Sequence, residues 1–260
     1  MKLHVCYDLV HGVSLMGKNM PDTSATIFDT LKNELTCLTI KPGQPVVESE
    51  VCARFGVTRP PVRTVFQRLQ DIGLLEIVPY KGAYATLLDL DEIYQEIFFR
   101  TATEGRVIQE FIALKPDDFT LEDILHNIRL QKLLISQDTV DEKRFYHLDC
   151  SMHEIWFRKM HCEAVWKKIQ SDIVYERFRM LDFVGTLKYQ EIVHDHEVLF
   201  DAISQRRPQD IDRILGSHLN AGLRRMGELI VTEYRQYFKL SDNAQYWIAY
   251  NKRHGYGKNP

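Results

Sequence analysis

The most constraining feature of this chain is a series of long segments after Asp89 in which apolar residues recur every three to four positions. They cover approximately residues 90–113, 119–136, 142–160, 164–182, 188–204 and 208–237. This spacing is typical of amphipathic helices, and no strand-like alternation interrupts it. Short breaks at Lys115-Pro116, Gly185 and Arg207-Pro208 separate neighbouring segments. The pattern predicts an all-helical antiparallel bundle of six or seven helices.

The part of the chain before residue 89 has shorter elements. Helices are predicted over residues 27–38, 48–55 and 59–72, with Gly56-Val57 as a tight turn between the last two. Two short apolar segments, 75–78 and 83–86, then flank a Pro-Tyr-Lys-Gly turn and predict a β-hairpin. Helix, tight turn, helix and hairpin in this order describe a winged helix-turn-helix. The fold class is therefore mainly α, with one small sheet near the N-terminus.

These patterns divide the chain into four parts. We expect a weakly ordered leader over 1–22, a winged helix-turn-helix over 23–88, a helical domain over 89–240 and a C-terminal tail over 241–260. Gly and Pro residues interrupt both the leader and the tail, so we expect the tail to be loose. Tyr246, Trp247 and Tyr250 are the side chains by which it would dock.

Composition excludes several classes of protein. Hydrophobic residues are 45% and charged residues 27% of the chain, as in globular proteins. No apolar run approaches the ~20 residues that cross a bilayer, and the first residues lack the plan of a signal peptide. Five cysteines without a C-x-x-C pair argue against a disulfide framework and favour the cytoplasm. The net charge of −3 gives no indication of nucleic-acid binding, which has to come from local charge.

The third predicted helix of the N-terminal domain concentrates positive charge. Between residues 51 and 70 the chain has four arginines and no acidic residue. Thr58 is the predicted N-cap, and the exposed start of the helix can approach a phosphate. Arg59 and Arg63, one turn apart, can bind guanine edges through two hydrogen bonds each. From the arginines alone, a solvated basic helix without a DNA partner is an equal alternative.

The stretch from Pro42 to Thr86 resembles the DNA-binding domain of the GntR family of bacterial transcription regulators. The matching residues are Pro42-Gly43, Glu48, Gly56-Val57-Thr58-Arg59, Val62-Arg63, Leu69, Gly73-Leu74 and Gly82. The resemblance implies a regulator that binds double-stranded operator DNA, with Gly82 letting the wing enter the minor groove. The expected DNA-binding residues are Thr58, Arg59, Arg63, Thr64, Gln67, Arg68, Lys81 and Gly82. Ser49 and Thr64 depart from the family pattern and indicate an altered operator sequence.

Four polar residues fall on the apolar faces of three predicted helices. Asp149 and His153 are one turn apart on the third segment of the helical domain, while His196 and His218 lie on the last two. A carboxylate among aromatic side chains is costly unless it is paired or bound to a metal. One carboxylate and three imidazoles suit a divalent transition metal such as zinc, nickel or manganese. A lone inward histidine is more often a hydrogen-bonded core residue, so the prediction depends on all four residues converging.

The helical half resembles the FCD effector domain of the FadR-like branch of GntR regulators. The order and spacing of the four candidate ligands match the metal-binding pattern of that domain, and Arg100 and Glu104 match its Arg-x3-Glu. The resemblance implies a small carboxylate effector beside the metal. The expected effector-binding residues are Arg100, Glu104 and Arg177, with Arg179 as a further candidate. We also expect a homodimer held together by the helical domain, because the N-terminal domain has little spare apolar surface.

Several alternatives remain open. Three histidines with open coordination positions activate water in metalloenzymes, so the helical half is alternatively a metal-dependent hydrolase. The arginine-bearing winged helix argues against that, and we expect a repressor rather than an enzyme. A third possibility is a purely structural metal without an effector. Arg100 and Glu104 are alternatively an internal salt bridge, and His161-Cys162 stands where the family has Gly-Asn.

Overall fold

The computed structural model describes residues 23–185 and 188–256, so the predicted leader lies outside the described residues. The N-terminal part consists of short helices and strands in the predicted order. They are α1 (Thr23–Thr36), β1 (Pro45–Val46), α2 (Glu48–Phe55), α3 (Arg59–Asp71), β2 (Leu75–Val78) and β3 (Gly82–Ala85). Apolar residues of α3 and α1, among them Val62, Leu69, Ile27 and Leu31, are buried against one another. This packing fixes α3 and leaves its arginine-bearing face in solvent.

The strands form an antiparallel sheet in the order β1-β3-β2. Val78 pairs with Gly82 at the tip of the predicted hairpin, and Pro45 and Val46 add a strand that the sequence did not predict. A strand of two residues is too short to show the alternation of apolar and polar residues by which strands are predicted, so the sequence does not indicate β1. The N-terminal part is a winged helix-turn-helix, as expected.

The rest of the described chain is almost entirely helical, which confirms the predicted fold class. Its elements are β4 (Leu88–Asp89), α4 (Leu90–Ala113), α5 (Asp118–Ile135), α6 (Glu142–Lys159), α7 (Glu163–Gln170), α8 (Ile173–Gly185), α9 (Tyr189–Ser204), α10 (Ile211–Leu219), α11 (Ala221–Val231), β5 (Phe238–Lys239) and α12 (Ala244–Arg253). Single 3-10 turns cover Pro208–Asp210 and Arg235–Tyr237, and β4 pairs in parallel with β5. Helix α4 packs against α6, α8 and α10, while α5 packs against α6 and α9.

Two of the predicted helical segments are each divided into two helices, so the described part of the bundle exceeds the expected six or seven. Asp172 lies between α7 and α8, which divide the predicted segment 164–182. Its Oδ1 accepts a hydrogen bond from the backbone N–H of Tyr175 at 2.6 Å in the first turn of α8. Asn220 divides the other, and its side chain donates to the carbonyl of Gly216 at 2.8 Å. Both residues hydrogen-bond the backbone locally, which competes with a continuous helix.

The C-terminal tail is not loose, which corrects the expectation for its described part. Helix α12 docks on α4, with the ring of Trp247 stacked on Tyr94 at a centroid distance of 5.6 Å. Tyr256 is 3% exposed, and its backbone carbonyl accepts a hydrogen bond from Arg224 at 2.7 Å. Aromatic area buried against α4 compensates for the breaks in the tail sequence.

Gly216 on α10 provides the space for Tyr256. A Cβ at this position would lie 2.2 Å from the tyrosine ring, whereas a Cβ at Gly227 on α11 would meet nothing within 4 Å. We expect Gly216→Ala to displace the tail and to lower the free energy of unfolding by about 1–3 kcal/mol. Gly227→Ala is the matched control and should be neutral or stabilising by about 0.5–1 kcal/mol. Urea denaturation measures both, and equal effects would show that Tyr256 does not pack as described.

Candidate metal centre and nucleic-acid interface

The four predicted ligands come together between three helices. Asp149 and His153 on α6, His196 on α9 and His218 on α10 each offer a ligand atom, and these atoms all lie within 4.8 Å of one another. The first three residues are buried and His218 is half-buried. The convergence on which the sequence prediction depended is therefore present in the fold.

Each of the three imidazoles has an acceptor at its Nδ1. The partners are Glu104 for His153, Gln131 for His196 at 2.7 Å, and Asp195 for His218 at 3.3 Å. Gln131 is itself oriented, because its Nε2 donates to Asn127 at 2.8 Å and leaves its Oε1 for the imidazole. An acceptor at Nδ1 places the ring proton there and leaves a lone pair on Nε2. Partners of this kind orient metal-ligating histidines.

Two of the Nε2 atoms lack a hydrogen-bond partner among the described residues. They belong to His153 and His196 and are buried, and His196 Nε2 lies 3.4 Å from Asp149 Oδ1. A buried polar atom without a partner costs about 1–3 kcal/mol. A divalent ion bound by these nitrogens and the Asp149 carboxylate removes that cost, so the residues present fit a metal.

Burial and neighbouring charges favour the protonation states that a metal needs. Burial lowers the pKa of His196 to about 4 and also lowers the pKa of His153. Burial opposes the charged form of Asp149, but the Arg179 guanidinium and His196 hold the pKa of this carboxyl well below its usual range. Neutral imidazoles and an ionised carboxylate are the ligand forms of these groups.

The pKa of His196 predicts a pH dependence for the metal-free protein. The unfolded chain protonates this histidine below its ordinary pKa of about 6.5, while the folded chain does so only near 4. Its contribution to stability is therefore lost as pH falls from about 6.5 to about 4. Glu96, whose pKa burial raises to about 6, acts in the opposite direction.

The difference between wild type and His196→Gln isolates the effect, since Glu96 is common to both. Urea denaturation in the presence of a chelator should show a steeper loss of stability with acid for the wild type. Parallel curves over this pH range would contradict the assignment of a buried neutral imidazole.

Three arginines, Arg100, Arg179 and Arg225, line a cavity beside the four ligands. The cavity has a volume of about 50 Å³, and Arg100, Arg179, Asp149 and His218 are in its wall. Arg179 donates to Asp149 Oδ2 at 2.8 Å. Arg100 donates through Nε to Glu104 at 2.8 Å, so the alternative of an internal salt bridge is real and coexists with a place at the cavity.

The predicted role of Arg177 is not supported, because its side chain lies elsewhere. Its guanidinium is buried and donates to the hydroxyl and the carbonyl of Thr86, each at 2.8 Å. Arg179, two residues further on, lines the cavity instead. Residues two apart on a helix point in nearly opposite directions, and the sequence alone does not show which of the two faces inward. Glu104 is fully buried and holds Arg100 and His153 rather than lining the cavity.

Arg59 and Arg63 form the exposed edge of α3. Their side chains are 69% and 66% exposed, and both lie near Glu48, at 3.5 and 3.0 Å. Exposed ion pairs of this kind are weak, so phosphates or guanine edges can replace Glu48. Thr58 is the N-cap residue of α3, as predicted, although its side chain makes no capping hydrogen bond. Its hydroxyl is thereby left for other partners.

The remaining predicted DNA-binding residues differ in their surroundings. Thr64 donates to the carbonyl of Pro60 at 3.3 Å and Gln67 donates to Asp71 at 3.1 Å, while Arg68 lies over the ring of Phe28 at 4.0 Å. Lys81 and Gly82 are exposed on the wing, where Gly82 has a φ of 117°. Tyr80, at the tip of the wing, is fully exposed and was not among the predicted residues. Its position in the predicted hairpin turn is the sequence feature that could have identified it as a DNA-binding candidate.

No helix in the described ranges is long and apolar enough to cross a membrane, in agreement with the sequence.

Comparisons with known proteins bear on both halves of the chain. Residues 23–84 match the family model for bacterial regulatory proteins of the gntR family. The HTH-type transcriptional repressor RspR of Escherichia coli K12 is 27% identical over 196 residues, which are 74% of this chain and 84% of RspR. The uncharacterized HTH-type transcriptional regulator YdfH of Escherichia coli O6:H1 is 27% identical over 76% of this chain and 86% of its own length.

A solved structure of Escherichia coli McbR/YncC has the same fold. It superimposes with a TM-score of 0.57 at 12% identity and covers 81% of this chain and 99% of its own. The relatives are named as regulators and not as enzymes, in agreement with the expectation that this chain is not a hydrolase. Residues 23–84 therefore match the gntR family of bacterial regulatory proteins, and over about three quarters of its length the chain is similar to proteins named as HTH-type transcriptional regulators.

Proposed function

We propose that this regulator is a repressor whose affinity for operator DNA is controlled by a small carboxylate bound beside a divalent metal in an FCD-type helical domain. It acts in the cytoplasm as a homodimer, whose two winged helices bind the two halves of a palindromic operator. The name of RspR as a repressor supports the sign of regulation.

The observation that carries this proposal is the composition of the cavity wall. Asp149 and His218, two of the four candidate ligands, share the wall with Arg100 and Arg179. A guanidinium binds both oxygens of a carboxylate, and a divalent ion nearby supplies a positive charge for the same group. A metal with a purely structural role would not require arginines at an open cavity beside it.

Helix α8 connects this cavity with the DNA-binding domain. Arg179 on α8 contacts the candidate ligand Asp149, while Arg177 on the same helix donates two hydrogen bonds to Thr86 at the end of the winged helix-turn-helix. Ile173, at the start of α8, packs against the core of the N-terminal domain. An effector that binds Arg179 more tightly in one position of α8 therefore shifts the position of the DNA-binding domain.

Fluorescence anisotropy with DNA from the promoter of the protein's own gene tests the proposal. Operator affinity should fall with salt, because the contacts of the basic helix release counterions. A panel of small carboxylates should weaken operator binding by metal-loaded protein and have little effect after the metal has been removed by a chelator. Carboxylates that act equally on metal-free protein, or that have no effect on either form, would contradict it.

A further inference from the structure

We propose that the effector is a dianion of the dicarboxylate class and that Arg225 on α11 binds its second carboxylate. The inference rests on the proposed function, because it takes the first carboxylate to lie beside the metal ligands. It adds a second anion-binding group to the same cavity.

Arg225 is buried and only partly satisfied by the protein. Its side chain is 10% exposed, and Nε and Nη2 both donate to the carboxylate of Asp182, the former at 3.3 Å. Nη1 is buried and makes no hydrogen bond with any residue that the structure describes. Its distance of 3.8 Å to Glu191 is too long for one, and Glu191 is paired with Lys188 at 3.1 Å. One side of the guanidinium therefore lacks an acceptor.

The side chain that carries this donor lines the cavity described above. Arg225 and Asp182 line the same wall as Asp149 and His218. Gly222 keeps the space open, since a Cβ there would lie 3.2 Å from the Asp182 carboxylate and 3.1 Å from the Phe178 ring. A carboxylate oxygen is the strongest acceptor for a buried guanidinium N–H. A ligand that reaches Arg225 from the metal ligands therefore carries an acidic group at each of two positions.

Isothermal titration of metal-loaded wild-type protein with malonate and succinate, each against its monoamide, tests this inference. Malonamate and succinamate have nearly the same size and shape as the diacids but carry one negative charge. We expect the better diacid to bind at least about tenfold more tightly than its monoamide, as for one charge-assisted hydrogen bond.

Two variants locate the effect. In Arg225→Gln/Asp182→Asn a neutral amide pair replaces the ion pair, and the ratio between diacid and monoamide should fall to near one. Arg225→Lys keeps the positive charge but loses the planar guanidinium with its paired N–H donors, and it should give an intermediate ratio of diacid to monoamide affinity. Arg207→Gln, at an arginine that does not line the cavity, is the control and should keep the wild-type ratio.

Metal content, measured first by elemental analysis, distinguishes a failure of the proposed function from a failure of the inference about Arg225. Wild-type protein that takes up no metal overturns the proposed function. Metal-loaded protein that binds diacid and monoamide equally overturns the inference alone, and so does a diacid preference that persists in folded Arg225→Gln/Asp182→Asn protein. The wild-type ratio needs no variant and decides the class of ligand by itself.

Discussion

Replacing His196 with alanine is expected to abolish metal binding. Wild-type protein purified without an affinity tag should hold about one divalent ion per chain, and His196→Ala should hold almost none. Loss of a residue that merely orients a ligand already weakens metal binding by about 10–100-fold, so loss of a ligand should exceed about 100-fold. The imidazole of His196 is fully buried, and its ligand atom lies within 4.8 Å of those of the other three candidate ligands. Alanine has no atom that binds a metal, so the site loses one ligand. Elemental analysis after dialysis measures the content.

His194 provides the matched control for this prediction. It lies on the same helix two residues earlier, and its side chain is exposed. His194→Ala should therefore keep the full metal content and the thermal stability of the wild type. Equal metal content in the two alanine variants would place the ion elsewhere on the chain.

Removing Arg59 and Arg63 together is expected to have the largest effect on operator binding. If each guanidinium makes a bidentate base contact, each substitution by alanine costs about 1–3 kcal/mol, and the double variant loses about 2–6 kcal/mol. Both side chains are exposed and form weak ion pairs with Glu48, so the fold should tolerate the change. Anisotropy titrations at fixed salt measure the loss.

Arg106→Ala is the control for the loss of an exposed arginine. This residue is on α4, 72% exposed and paired with Glu110. The control should bind the operator like the wild type. A double variant with full operator affinity would remove Arg59 and Arg63 from the DNA-binding surface.

Much of the fold follows from local patterns that the sequence displays. The bounds of α2 agree with the prediction, and α3 ends one residue earlier than expected, because Gly56 and Gly73 end these helices at positive φ. The four candidate ligands were also visible, since a polar residue on an apolar stripe stands out at helical spacing. Convergence of three helices on one point was then the simplest way to bury those polar groups.

The parts that were not predicted depend on contacts between distant segments. Gln131 lies on α5 and gives no sign in the sequence that it orients His196 on α9. The choice between Arg177 and Arg179 depends on the rotation of α8, which its packing between two domains determines. The docking of the tail likewise depends on a space that Gly216 leaves for Tyr256.

Anomalous diffraction from crystals of metal-loaded protein tests the central claim most directly. Data collected on both sides of the absorption edge of the bound metal show where the ion lies, independently of any effect of mutation on folding. The account predicts one strong peak per chain among Asp149, His153, His196 and His218, within about 2.0–2.2 Å of the histidine Nε2 atoms. A peak at any other set of residues, or metal-soaked crystals without a peak at these four, would contradict it.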